Sequence, residues 1–257
     1  MNRRAFTLVE LLVVISIIGL LSTIAIANMS SARAKAKIAA AQQYEMNIYH
    51  GLGDRVVGDW GLNETSGTAI ADLSGNGNGG TLGGPLSSVP GIYGSALSFS
   101  GAANIAITNQ LPVTLNSFTV SAWFKTTNSS DIKIVSLASN VHPIQMLNGF
   151  FRICFTTTCT LGTRPVNDGN WHFAAVTGDA TSLRGYIDGV LDATQAADSS
   201  VIADVFRIGG SSSGYYFWGT IDQVRLYSAS LTARAIKEQY YAGLTAHPPT
   251  LAATINP

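Results

Sequence analysis

From Leu11 to Ala32 the chain carries no charged residue. About 22 residues of helix reach about 33 Å, enough to cross the hydrocarbon core of a bilayer. A helix suits such a segment, because it satisfies every backbone polar group within itself. Leucine, isoleucine and valine fill its first half, and Ser22, Thr23, Asn28 and Ser30 dilute the second. Arg3 and Arg4 precede the run, so the positive-inside rule keeps the N-terminus in the cytoplasm and sends the bulk of the chain outward. Glu10 stands at the head of the apolar run. A carboxylate there costs a few kcal/mol, which calls for a partner or a function.

A secretory signal peptide has no acid at the start of its apolar core and ends in a small-residue cleavage site. Here the helical pattern continues as "NMSSARAKAKIAAAQQYEMNIYHGL", rich in strong helix formers. One helix over residues 6–52 is predicted, apolar all round at first and amphipathic later.

After "YHGLGDR" the period changes to alternation. The runs "VVGDWGL", "GSALSFS", "NIAIT", "SFTVSAWFKTT", "IKIVSLAS", "GFFRICF", "NWHFAAVT", "LRGYIDG", "VFRIGG" and "FWGTIDQVRLYS" are separated by Gly, Asn, Ser and Asp turns. Many short strands so spaced predict a two-sheet β-sandwich of jelly-roll type over residues 53–244. In "SFTVSAWFK", Phe118, Val120, Ala122 and Phe124 fall on one face. "LTARAIKEQYYAG" returns to helical period, with Leu231, Ala235 and Gln239 on one side and a stop at Gly243. Residues 245–257 are expected to form a tail without fixed structure.

With 15 basic and 15 acidic side chains, the chain has no electrostatic footprint for nucleic acid. Cys154 and Cys159 lie close together, and in an exported chain that spacing predicts a disulfide across a hairpin; a pair of free buried thiols is the alternative. The glutamates are Glu10, Glu45, Glu64 and Glu238, scattered along the chain; aspartate pairs stay open for the two carboxyl groups that glycoside hydrolysis needs, and an enzyme is not expected. "DLSGNGNGG" places Asp72, Asn76 and Asn78 in one glycine-rich loop, either as oxygen ligands for calcium or as turn formers. Trp60, Trp123, Trp171 and Trp218 all sit in strand patterns and are expected in the core. Trp218, beside Tyr215, Tyr216 and a serine-glycine loop, is the candidate for an exposed ligand platform. His50, His142, His172 and His247 lack zinc-site spacing.

"RRAFTLVELLVVISIIGLL" resembles the N-terminus of type IV pilins and of the pseudopilins of type II secretion. The resemblance implies cleavage of leader 1–5 by a prepilin peptidase between Ala5 and Phe6, and methylation of Phe6. It also implies self-assembly into a helical filament by the pilus assembly machinery, with Glu10 meeting the Phe6 amine of a neighbour. The family usually has glycine where this chain has Ala5; alanine is the next smallest residue, and cleavage is expected to persist. Localisation would be the cytoplasmic membrane before assembly and an extracellular filament afterwards.

Five further blocks resemble, in order, the laminin-G-like or concanavalin A-like lectin/glucanase sandwiches: "GDWGLNETSGTAIADLSGNGNGGTLGG", "YGSALSFSGAANIAI", "SFTVSAWFKTT", "NWHFAAVTGD" with "LRGYIDGVL", and "GTIDQVRLYSASLTARAIKEQY". Such modules often hold one structural calcium, which makes Asp222 a further candidate ligand. Family aspartates are replaced by Ser100 and Ala103 here. The expected fold is mainly β with a long N-terminal α-helix, a concanavalin A-like sandwich on a pilin-type transmembrane helix. The expected function is that of a structural or adhesive filament subunit with a head that contacts carbohydrate or protein. A type II secretion pseudopilin and a membrane-anchored surface binding protein are the alternatives.

Overall fold

The structure is a computed structural model, and it describes residues 8–18, 51, 53–85, 87–102, 105–107, 111, 117–138, 141–155, 158–197 and 205–246. Ala5, Phe6, most of the predicted membrane helix, His50, His247 and the tail beyond residue 246 lie outside the described residues. Residues 8–18 are α-helical and form α1. Its apolar side chains stand uncovered on all sides, from Leu8 at 79% exposure to Val14 at 46%. Among the described residues no helix is long and apolar enough to cross a membrane.

Among the described residues sixteen strands form two sheets of eight. The first runs β14 (Val190–Ala196), β13 (Ser182–Ile187), β12 (Trp171–Gly178), β7 (Phe118–Lys125), β16 (Trp218–Tyr227), β5 (Ser95–Ser100) and β4 (Ser88–Pro90). β1 (Val56–Trp60) joins it by pairing antiparallel with the second half of β16. The other sheet runs β11 (Thr158–Pro165), β10 (Phe150–Phe155), β9 (Val141–Leu147), β8 (Ile132–Ser136), β15 (Phe206–Ile208), β6 (Ile105–Ile107), β3 (Gly80–Leu82) and β2 (Ala69–Ile70).

The alternation of β7 decides how the layers stack. Phe118, Val120, Ala122 and Phe124 enter the core between the sheets, with Ile134, Phe151, Phe206 and Ile221 among their buried companions. Trp123 points the other way and joins a second apolar cluster with Phe173, Tyr186, Tyr227 and Ile236. A helix, α2 (Ala233–Ala246), covers that outer face. The stop expected at Gly243 is not observed; the helix continues three residues further. A side chain at Gly243 would run into the Trp123 indole, so this glycine serves close packing and not termination.

β9 and β11 escape the sequence pattern for different reasons. β9 contains Pro143, which argues against a central strand. It is tolerated because the register shifts there: Gln145 pairs with Arg152 and His142 with Cys154, leaving two residues of β9 opposite one of β10. The turn Asn148-Gly149, with both residues at positive φ, was the signal that joins β9 to β10. β11 is mostly exposed and polar, so it shows no alternation. It is fixed to β10 by the Cys154–Cys159 disulfide, which links a directly opposed pair, as predicted for an exported chain.

Candidate functional site

α2 covers the outer face of the first sheet, and the outer face of the second carries a polar row. Ile132, Ile134, Val135, Phe151 and Ile153 send their side chains into the core, and the alternate positions carry polar groups outward. Pairing sets Lys133 of β8 beside Gln145 of β9, and Gln145 beside Arg152 of β10. Lys133 Nζ donates to Asp131 Oδ1 at 2.6 Å and also to Gln145 Oε1. Arg152 Nη1 lies 3.8 Å from Asp131 Oδ2, and its Nη2 donates to Cys159 Sγ at 3.0 Å. The Tyr215 ring covers the lysine, with Nζ 4.7 Å from the ring centroid. This loop is held to β8 by Lys133 N–H donating to the Tyr215 carbonyl at 3.0 Å.

Burial lowers the Lys133 pKa, with the Asp131 carboxylate opposing the shift. His142, one strand pair away, donates or accepts through Nδ1 with Ser136 Oγ at 3.0 Å. Burial, followed by the positive charge of Lys133, brings His142 down to about 4, so it is neutral at pH 7. Lys133 is 5% exposed and Gln145 is fully buried, yet Tyr215 is 52% exposed. The site is thus a buried polar row under one accessible aromatic ring.

The aromatic trio expected from sequence is divided by the fold. Trp218 is 52% exposed, as anticipated, but it opens β16 in the other sheet, paired to Ser100. Its indole lies against Gly101, at φ 75°, where a side chain would collide with the ring. Tyr216 is half-buried between the two exposed rings in sequence. Trp60 and Trp123 are core residues and Trp171 is half-buried, with Lys125 Nζ 5.3 Å from its ring centroid.

Of the candidate calcium ligands, Asp72, Asn76 and Asn78 share one hydrogen-bonded loop and Asp222 makes other contacts. Asp72 Oδ1 accepts the N–H groups of Asp59 and Ser74, and Oδ2 accepts from Ser74 Oγ and the Asn78 N–H. These donors outweigh burial and lower the Asp72 pKa. Asn76 and Asn78 donate their Nδ2 groups to the carbonyls of Val56 and Val57 at 2.6 and 2.7 Å. These bonds hold the loop to itself and to β1. Asp222 has other partners: its Oδ2 accepts the N–H groups of Ile92 and Tyr93 at 2.6 and 3.0 Å, and its Oδ1 is buried without one. Among the described residues no group of three or more His, Cys, Asp or Glu converges for a metal.

Glu64 and Glu238 are far apart in role. Glu64 Oε1 accepts the Ala71 N–H at 2.9 Å, in a hollow lined by Gly61, Leu62, Asn63, Ala71 and Leu73. Glu238 lies 3.8 Å from Arg234 on α2.

His172 forms an electrostatic cluster outside the sequence-predicted sites. Its Nδ1 is 2.9 Å from Asp188 Oδ2 and its Nε2 is 3.1 Å from Asp168 Oδ1. Burial would lower its pKa, but the two carboxylates outweigh burial and raise it above the ordinary 6.5. The stabilisation is complete below 6.5 and is lost as pH rises through the higher folded value. Between about pH 6 and 9 the melting temperature of wild type is therefore expected to fall more steeply than that of His172→Gln. Parallel curves would remove His172 from the pH response.

Two packed antiparallel sheets, one backed by a helix and one with a polar row on its outer face, define a jelly-roll sandwich of the lectin type. The profile of the concanavalin A-like lectin/glucanases superfamily matches residues 99–237, more than half of the chain, and the chain belongs to that superfamily. The prokaryotic N-terminal methylation motif matches residues 1–26. No curated protein matches the chain. Among solved structures, it is similar to domain 4 of AbnA, a GH43 extracellular arabinanase from Geobacillus stearothermophilus, in complex with arabinotriose. That likeness has 20% identity and a TM-score of 0.60, covering 72% of this chain and 97% of that one. The binding domain of Paraclostridial Mosquitocidal Protein 1 is similar at 15% identity and TM-score 0.58, with 74% of this chain and 52% of that one covered. The binding domain of botulinum neurotoxin DC in complex with SialylT follows at 16% identity and TM-score 0.55, covering 74% and 52%. The chain thus spans about half the length of those toxin domains. At these identities the likeness establishes the fold, and function rests on the site.

Proposed function

We propose that the chain is a pilin-like surface protein with a carbohydrate-binding head, assembled into a filament through its N-terminal helix. The observation that carries this reading is the union, in one chain, of a prepilin-type methylation motif and a lectin-type sandwich. In this reading a prepilin peptidase cuts between Ala5 and Phe6, Phe6 is methylated, and the helix passes from the cytoplasmic membrane into the filament core. The uncovered apolar side chains of α1 support it, since such a surface needs lipid or neighbouring helices around it. In this reading the head binds a ligand, and its two glutamates have separate surroundings, Glu64 accepting from Ala71 and Glu238 beside Arg234. Mass spectrometry of surface filaments sheared from native cells tests the reading. Peptides beginning at methylated Phe6 are expected; a chain that keeps residues 1–5 and stays with the membrane overturns it.

Calcium belongs to the same reading, with Asp222 as the ligand whose site can be tested most directly. Burial raises this carboxyl to about 6, and at pH 7 its unpartnered Oδ1 carries charge that a cation would offset. Millimolar calcium is expected to raise the melting temperature of wild type and leave Asp222→Asn unchanged. An unmoved wild type removes calcium from the reading.

A further inference from the structure

The outer face of the second sheet is one-sided in charge. β8, β9, β10 and β15 contain Lys133, Arg152 and Arg207 and no acidic residue. The neighbouring acid, Asp131, is engaged by Lys133 and Arg152. Between those two cations lies Gln145, whose amide orientation is fixed because Oε1 must face the lysine donor. That leaves Nε2 fully buried and without an acceptor. An orphan donor in such a place costs about 1–3 kcal/mol and is an unusual feature of a folded domain. What is missing from this face is an acceptor for that amide, and the two cations beside it favour one that bears negative charge.

The aromatic ring above the row indicates the rest of the ligand. Tyr215 is half exposed and is held at φ 56°, a conformation unfavourable for a residue with a side chain. Its backbone strain is tolerated on a loop whose Ser211 and Gly214 bond across one another. A flat ring beside charged donors suits a sugar, whose C–H face rests on the ring while its polar substituents reach the donors. Arg152 Nη2, which in the free protein donates to the weak acceptor Cys159 Sγ, makes a stronger charge-assisted hydrogen bond to a carboxylate.

We infer that this face is a subsite for a carboxylate-bearing sugar, which rests on Tyr215 and directs its carboxylate to Arg152 and the Gln145 Nε2 donor. The inference rests on the glycan-binding reading above and narrows it to acidic glycans. Binding draws the ligand into the row between Lys133 and Arg152, supplying the acceptor that Gln145 lacks.

The test uses the full chain in lipid nanodiscs on an array of uronic-acid and sialic-acid oligosaccharides, each beside its carboxyl-reduced twin, with sulfated neutral glycans included. At least one carboxylated glycan is expected to bind tenfold or more tightly than its twin. Arg152→Gln and Tyr215→Gly are each expected to weaken that binding about tenfold, and Arg234→Gln on α2 to leave it unchanged. Tyr215→Gly relieves the positive φ, so it keeps the test valid if Arg152→Gln does not fold. Equal binding of the twins, binding of sulfated glycans alone, or a preference that both variants retain overturns the inference and leaves the glycan-binding reading standing. Binding to no glycan overturns both.

Discussion

Trp60→Ala is expected to destabilise the head by about 3–5 kcal/mol, the cost of emptying a large buried aromatic site. Trp60 is fully buried in the main core and stacks on Phe206 with centroids 4.8 Å apart. Its Nε1 donates to the Asn78 carbonyl at 2.8 Å, tying β1 to the glycine-rich loop. The ring thereby joins both sheets, since β1 pairs with β16 in the first and Phe206 belongs to β15 in the second. Urea unfolding of the full chain should show the midpoint lowered by about 1–2 M. Trp60→Phe retains most of the volume and loses the hydrogen bond, so it should cost about 1–2 kcal/mol. Equal losses in the two variants would mean that the hydrogen bond outweighs the packing.

The second large effect concerns assembly. Glu10→Val is expected to reduce the protein in sheared filaments by about a hundredfold or more while the chain stays in the membrane fraction. Glu10 lies on α1 among exposed apolar side chains. In a packed filament its carboxylate would be desolvated against the Phe6 amine of a neighbour, and removing one partner of a buried pair leaves the other charge uncompensated. Counting subunits by quantitative mass spectrometry of the sheared and membrane fractions checks this. Normal incorporation of Glu10→Val would overturn the pairing.

The architecture was legible wherever burial on one face imposes a period. "SFTVSAWFK" shows it best: its alternate residues divide between the main core and the cluster under α2. Legibility ended where a strand's local rule is overridden by its neighbours, as at Pro143 in β9 and in the polar edge strand β11. The candidate site was half visible. Exposure of Trp218 followed from the serine-glycine loop at 211–214 beside it, and Tyr215 next to that loop is exposed as well. Lys133, Gln145 and Arg152 each appear in sequence as a polar residue between apolar ones, which marks an outward position. Their convergence depends on the strand order β10-β9-β8, which alternation does not encode. The glycine-rich loop reads two ways in sequence for a related reason, because a loop of Asp, Asn and Gly satisfies backbone groups as readily as a cation.

The way the chain enters the head has a mechanical side. The first strand after residue 53 is β1, and Val56 is paired with Tyr227 at the far end of β16. A pull arriving from the N-terminal side is passed into β16, which lies between β7 and its partners β5 and β1. Load applied to a tethered head would thus fall on the middle of the first sheet, with Trp60 as the bolt that resists extraction. Under flow, β1, which among the described strands is paired to β16 alone, would be the first strand to feel extraction, and its register with β16 would set the load the head survives.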